Sequence, residues 1–288
     1  MNTDQTPKLG GAMWLLKGAR LPEIAAWMAN QGFAALSLHP FILKAETPER
    51  QDLAAAVRDL GLSITYHGNI IRETQEKGSL DYTYLDRQID DCLWWHEHAT
   101  RVTSLLFDSI HLENPAGFAK EMNRDMVLHT AERLGTSGIR TGIENIFGAQ
   151  ENYQSLADIR AFKESCNLPD MGILLDTGHT NVHVRSGIDP NIRDIGSFIK
   201  GLPLDILEVH LQDNQGKKDE HKYLGYGTLD LKALLNSLKG IKYKGPLTLE
   251  ICKDILSGQY QIDINVPEEA DLWLRSRDIL LTAWEVMD

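Results

Sequence analysis

Glu144, Asp176, His210 and Glu250 each close a short run rich in apolar and β-branched residues: 139–144 (IRTGIE), 172–176 (GILLD), 204–210 (LDILEVH) and 246–250 (PLTLE). Three carboxylates and one imidazole, with no thiolate beside them, suit one hard or borderline divalent ion such as Mn²⁺, Mg²⁺, Co²⁺ or Zn²⁺. A lone acid at the end of a strand is as readily the cap of the helix that follows. Four successive runs ending in this way point instead to a metal site on neighbouring parallel strands, at the mouth of a barrel.

Such a mouth needs eight strands, and the first half of the chain supplies the other four: 9–14 (LGGAMW), 34–39 (AALSLH), 62–67 (LSITYH) and 102–108 (VTSLLFD). Between the runs, apolar residues recur at helical spacing, as in Leu53, Ala56, Val57 and Leu60, in Leu85, Ile89, Cys92 and Leu93, and in Leu231, Leu234, Leu235 and Leu238. The simplest role of these stripes is to pack helices on the sheet. Strand then helix, repeated eight times, predicts an α/β chain of the (β/α)8 barrel type, a fold of about 250 residues plus insertions. The 288 residues, 42% hydrophobic, suffice for a substantial core. No Pro-, Ser- or Gly-rich linker divides them, so 1–288 reads as a single domain. The segment 266–287, with Trp273, Leu274, Ile279, Leu280 and Trp284, reads as a closing amphipathic helix packed on the core.

The net charge of −12, without any dense Lys/Arg run, counts against nucleic acid as a partner. There is no glycine-rich phosphate loop. The longest apolar stretches fall short of the ~20 residues of a membrane helix, and the opening MNTDQTPK lacks the basic and apolar regions of a signal peptide, so the expected location is the cytoplasm, away from membranes. Cys92, Cys166 and Cys252 show no close-spaced metal pattern and cannot all pair, which is the expectation for reduced, structural thiols. Five of the ten histidines, His39, His67, His179, His210 and His221, lie at or just beyond strand ends, on the face where such barrels carry their sites. His96, His98 and His129 fall in helical patterns and need no functional reading.

The segments DTGH (176–179), VHLQDNQGKKDEHKYLGYGTLD (209–230), IEN (143–145) and LTLEI (247–251) resemble the xylose isomerase-like TIM barrels. That superfamily comprises sugar isomerases and epimerases and also the apurinic endonucleases of the endonuclease IV type; the similarity covers nearly the whole chain. It implies one divalent metal ion held by a Glu, an Asp, a His and a second Glu at the ends of strands five to eight. Those positions fall on Glu144, Asp176, His210 and Glu250, the residues already chosen on chemical grounds. It further implies a small-molecule sugar or polyol substrate, and, since dimers and tetramers are common in the family, association with copies of the same chain.

The resemblance places His179 against substrate or an additional metal, and His67 likewise; His39, before Pro40, is similarly placed. Trp14, closing strand one, can wall the apolar face of a sugar ring or pack at the rim of the core. In the apurinic endonucleases a D-x-H element after strand seven and a His after DTG bind a third zinc, and Asp219, His221 and His179 match them. Their full set also expects a His at the end of strand four, where Asp108 stands and His111 follows some residues on. Sugar-acting relatives keep D-x-H before a glycine-rich turn, as in Gly225-Tyr226-Gly227, with one metal, so Asp219 and His221 are assigned to substrate binding. Ketose 3-epimerases carry an Arg after the strand-seven His and a second Glu after the strand-five Glu. Here Lys217 or Lys218, and Gln150 or Glu151, stand in those loops. A lysine is a point charge rather than a rigid fork, so Lys217 would not reproduce the arginine contact, and both lysines read equally well as solvated loop charges.

A divalent ion bound to the carbonyl and neighbouring hydroxyl of a ketose or keto-polyol acidifies the adjacent C–H and holds a cis-enediolate. Glu144 and Glu250, from strands well apart around the barrel, would flank the reactive carbon, one removing a proton and the other returning it, as in an epimerase. A single glutamate serving as both base and acid would give isomerisation. Two further activities fit the same scaffold: a dehydratase of a keto-cyclitol or dehydroshikimate-like substrate, and an apurinic endonuclease, which needs several zinc ions and a basic groove. A binding protein that keeps the barrel is the last reading, and the intact quartet argues against it.

Overall fold

Each of the eight apolar runs forms a parallel strand in the computed structural model, which describes residues 7–110, 116–146, 155–187, 189–255 and 257–286. The strands are β1 (Lys8–Ala12), β2 (Ala35–Leu38), β3 (Ser63–Gly68), β4 (Val102–Phe107), β5 (Arg140–Glu144), β6 (Gly172–Asp176), β7 (Asp205–Leu211) and β8 (Pro246–Leu249). They pair in chain order and close into a barrel, with Leu9 beside Leu247 at the seam between β1 and β8. All five residues of β6 are buried, as expected of a parallel strand covered on both faces. Neighbouring β5 and β6 meet at two glycines. A Cβ on Gly142 would sit 1.9 Å from the Gly172 carbonyl oxygen, so the absence of a side chain sets how closely these two strands approach.

Strand ends differ from the expected runs by a residue or two, for local reasons. β1 stops at Ala12 because the chain turns into a 3-10 helix (Met13–Leu15), so Trp14 lies in that turn rather than closing the strand. β2 stops at Leu38 because Pro40, with fixed φ and no N–H, opens a second 3-10 helix (Pro40–Lys44); His39 caps it, its Nδ1 accepting from the Phe41 N–H at 3.4 Å. Asp108 and Glu250 stand one residue past β4 and β8, whereas β3 and β7 run one residue beyond His67 and His210.

The helices bury the stripes that define them. Helix Thr47–Asp59 buries Leu53 and Val57, but Leu60 falls beyond its end and is 39% exposed, so that stripe is shorter than its spacing suggests. Helix Tyr82–His98 buries Leu85, Ile89 and Cys92, and helix Leu231–Gly240 buries Leu234, Leu235 and Leu238. The C-terminal helix Pro267–Glu285 buries Trp273 and Leu280, and Trp273 Nε1 donates to the Ile251 carbonyl at 3.2 Å, fastening this helix to the exit of β8. The three cysteines are buried and unpaired. Among the described residues no helix is long and apolar enough to cross a membrane.

Two features have no counterpart in the sequence pattern. The two-residue strands Leu16–Lys17 and Ile262–Asp263 pair in parallel and join the loops that leave β1 and β8. Inside the barrel the layer beneath the mouth is polar: fully buried Glu208 accepts from Thr65 Oγ1 at 2.8 Å and Thr248 Oγ1 at 2.7 Å.

Candidate active site at the barrel mouth

Asp176 ends β6 and also caps the helix Thr177–Ser186: its Oδ1 accepts from the His179 N–H at 2.6 Å. The cap fixes His179 in the first helical turn, where its Nδ1 lies 3.0 Å from Glu144 Oε1 and 3.6 Å from Asp176 Oδ1. Glu144, at the end of β5, meets His67 of β3 through its other oxygen, Oε2 to Nε2 3.2 Å. The same His67 Nε2 is 2.7 Å from Asp108 Oδ1. Across the mouth, His210 Nδ1 is 3.0 Å from Glu250 Oε2, and Glu208 Oε1 lies 3.5 Å beneath Nε2. The His67 and His210 rings meet edge to face at 5.0 Å, joining the two sides. On the outer rim Asp219 Oδ2 lies between His221 Nε2, 2.7 Å, and His179 Nε2, 3.3 Å.

Gln212 organises this rim. Its Nε2 donates to Asp219 Oδ1 at 2.6 Å and lies 3.3 Å from both Asp176 oxygens, while its Oε1 accepts from the His221 N–H at 3.0 Å. His221 adopts a left-handed φ of 46°, which turns its ring inward to the Glu250 carbonyl. Glu208 and Gln212 are functional candidates that residue types at strand ends do not reveal. Glu208 shares the inward face of β7 with His210, and Gln212, one residue past the strand, continues the same two-residue period, which was the available signal.

The members of the expected quartet are shared among overlapping groups. Glu144 and Asp176 gather with His179, and His210 and Glu250 gather with His67; His67, Asp108 and Glu144 form a third group and His179, Asp219 and His221 a fourth, the ligand atoms in each within 4.8 Å of one another. His39 and Trp14 stand at the edge. The Trp14 ring lies 5.2 Å from His39, 5.5 Å from His67 and 6.0 Å from His210. Lys217 and Lys218 are exposed on the loop after β7. His111, Gln150 and Glu151 lie outside the described residues.

Burial and charge set the protonation of the cluster. Burial pushes the Glu250 carboxyl up, but His210 and His221 outweigh it and hold the group down at about 2. Glu144 is likewise held well below the carboxylate range by His179 and His67 against the effect of burial. Asp176 goes the other way, to about 7: burial dominates, and Glu144, Glu250 and Asp219 add repulsion that His179 only partly offsets. Burial disfavours the charged form of His67 and His221, yet Asp108 beside the first and Asp219 beside the second carry both up to about 10. His39, with no carboxylate so near, is lowered to about 3 by burial and by the neighbouring His67.

These donors fit a divalent cation. His210 is wholly buried, and neither ring nitrogen meets a neighbour with hydrogen-bond geometry, although Nδ1 is 3.0 Å from Glu250 Oε2; His67 Nδ1 is unpartnered in the same way. A buried polar atom left so is costly unless another partner satisfies it. Carboxylate oxygens and imidazole nitrogens without a thiolate are the donor set of Mn²⁺, Mg²⁺, Co²⁺ or Zn²⁺. Carboxylates crowded out of water also favour a cation among them.

The family profile described as xylose isomerase-like TIM barrel matches residues 25–280. An uncharacterized protein of Methanocaldococcus jannaschii is 32% identical over 119 residues, which is 39% of this chain and 37% of that protein. An L-ribulose 3-epimerase of a Methylomonas species is 24% identical over 139 residues, 48% of this chain and 39% of the enzyme. The chain thus matches about two-fifths of the length of these curated relatives. A solved L-ribulose 3-epimerase structure superposes with a TM-score of 0.72, covering 97% of this chain and 95% of its own, at 17% identity, which shows a shared fold.

Proposed function

Because the chain belongs to the xylose isomerase-like TIM barrel family, we propose that it is an enzyme, a divalent-metal-dependent isomerase or epimerase of a sugar or keto-polyol. The observation that carries this reading is the placing of Glu144 and Glu250, two buried carboxylates on opposite flanks of the joined His67 and His210 rings. On this reading Glu144, Asp176, His210 and Glu250 hold the ion, and His67 and His179 line the same pocket. The ion, when bound, polarises the substrate carbonyl and acidifies the C–H beside it.

The chain's own groups perform the rest. Glu144 and Glu250 are both ionised at neutral pH, so either can accept a proton. A carboxylate held at about 2 is a weak base, and it strengthens when the imidazoles beside it give up their protons. One glutamate, ionised, takes the proton from the acidified carbon and keeps it, and the other, protonated from solvent before the step, gives its own proton to the opposite face, inverting the centre. His179 and His221, fixed by the shared Asp219, present N–H donors to substrate oxygens. Trp14 covers the cluster and keeps water from it. Lys217 is assigned to a distal substrate oxygen.

Chromatography of a ketose and inosose panel after incubation with Mn²⁺- or Co²⁺-loaded protein tests the reading. It expects a second sugar of equal mass, with an epimer or an aldose telling the two outcomes apart. A conjugated product absorbing in the near ultraviolet, or nicking of abasic DNA with no change in any sugar, would replace it with a dehydratase or a nuclease.

A further inference from the structure

A cavity of about 730 Å³ opens sideways from the barrel mouth. Glu250 and His221 form its inner end, and Trp14, Phe41, Ile255 and Tyr260 its walls. Its size lies within the roughly 300–1,000 Å³ of pockets that enclose drug-sized ligands, which is more than a six-carbon sugar fills. Trp14, beside the histidines, is enough to cover one sugar ring; Phe41, Ile255 and Tyr260 continue the apolar surface beyond it. A bare ketose can lay one C–H face on Trp14, which leaves the apolar surface beyond it without a partner. Two polar side chains of the wall are already engaged, Gln261 Nε2 with the Trp14 carbonyl at 3.1 Å and Lys253 with Glu269.

The cavity is also held open by the backbone. Phe41 comes from the 3-10 turn after β2, and the other walls come from the loops leaving β1 and β8, far apart in sequence, which the paired strands Leu16–Lys17 and Ile262–Asp263 and the bond from Asn265 Nδ2 to the Gly18 carbonyl clamp together. Asp254 and Gln259 close a hairpin by two backbone bonds of 2.8 and 2.9 Å, so the segment bearing Ile255 and Tyr260 is itself fastened. A preformed apolar wall costs little ordering when a ligand arrives.

We infer that this cavity is a subsite for a flat apolar substituent on the sugar, so that the preferred substrate is an aryl-substituted keto-sugar, such as an aryl glycoside oxidised to a ketone at a ring carbon, over a free ketose. The inference rests on the proposed sugar chemistry for the position of the reacting ring, but not for the binding itself. The substituent stacks against Tyr260 and Phe41 while the sugar ring lies under Trp14 toward Glu250.

The test compares the affinities of para-nitrophenyl and methyl β-D-glucopyranoside for the metal-loaded protein by isothermal titration, alongside sugar turnover on the same sample. The aryl glycoside is expected to bind on the order of tenfold tighter, from stacking and burial of its ring. Tyr260 is 51% exposed, so Tyr260→Ala tests the wall without touching the core. It should bring the aryl-to-methyl ratio toward one, while Tyr260→Phe, which keeps the ring, should retain it. Equal affinity for the two glycosides, or a ratio indifferent to Tyr260→Ala, overturns the subsite even if ketoses are turned over. A tyrosine-dependent aryl preference supports the subsite whether or not a free ketose is turned over, so the two readings fail separately.

Discussion

Glu208 lies two residues before His210 on the inward face of β7 and reaches under its ring, 3.5 Å from Nε2, with Thr65 and Thr248 holding the carboxylate in place. A partner of this kind orients an imidazole that ligates a metal and raises its basicity. Glu208→Gln, which keeps the shape and removes the charge, should therefore weaken Mn²⁺ or Co²⁺ binding by about 10–100-fold in a calorimetric titration. Circular dichroism should stay unchanged; unaltered metal affinity would leave Glu208 a purely structural group. Glu250→Gln should reduce proton exchange at the substrate carbon by about 10²–10⁴-fold, the usual contribution of a general base, and His210→Ala should lower metal occupancy measured by elemental analysis. The protonation pattern adds a sign. Burial disfavours the charged form of His210, the ring assigned to the ion, yet Glu250 and Glu208 raise it well above the usual imidazole range, so it carries a proton at neutral pH and must release it to accept a cation. Affinity should rise with pH through about 7 as Asp176 gives up its proton, and further as His210 does, and a weakly buffered titration should register released protons; binding that is flat with pH and proton-free would contradict the assignment.

At the scale of elements, the closeness of β5 and β6 brings Glu144 and Asp176 together, and it depends on Gly142. Gly142→Ala places a methyl against the Gly172 carbonyl, forcing the strands apart at a cost of about 1–3 kcal/mol or more. Thermal melting should show the loss, and metal affinity should fall with it. The helix Leu156–Cys166 offers a control away from the mouth. Ser155 and Asp158 form a capping box there, Ser155 Oγ accepting from the Asp158 N–H at 3.1 Å; Ser155→Ala should cost about 1 kcal/mol and leave metal binding as it was. Much at this scale was legible in the sequence. The run GILLD ends on Asp176 in the structure as in the pattern, because a strand buried on both faces leaves a continuous apolar signature. The turn that carries Trp14 was not, since a short 3-10 turn after β1 carries no periodicity, nor was the two-residue pairing of Leu16–Lys17 with Ile262–Asp263, which depends on partners 246 positions apart, as in Leu16 and Ile262. Glu208 and Gln212 were hidden for another reason: their inward direction has meaning only once the barrel closes around them.

The whole molecule combines a net charge of −12 with a buried knot of carboxylates and imidazoles at one end of a closed barrel. Such a field attracts cations and gives no general attraction for nucleic-acid phosphates, in keeping with a small neutral sugar as substrate. Eight strands contribute separate side chains to one mouth, so Glu144 and Glu250 come from far apart in the chain and approach the same space from different sides. The central claim is that these two groups move a proton at carbon. NMR of a ketose and inosose panel in D₂O with Mn²⁺-free Co²⁺- or Mg²⁺-loaded protein tests it most directly. Metal-dependent deuterium incorporation is expected at a carbon next to the carbonyl of at least one member, abolished by Glu250→Gln. Metal-loaded protein that leaves every such C–H unexchanged would contradict it.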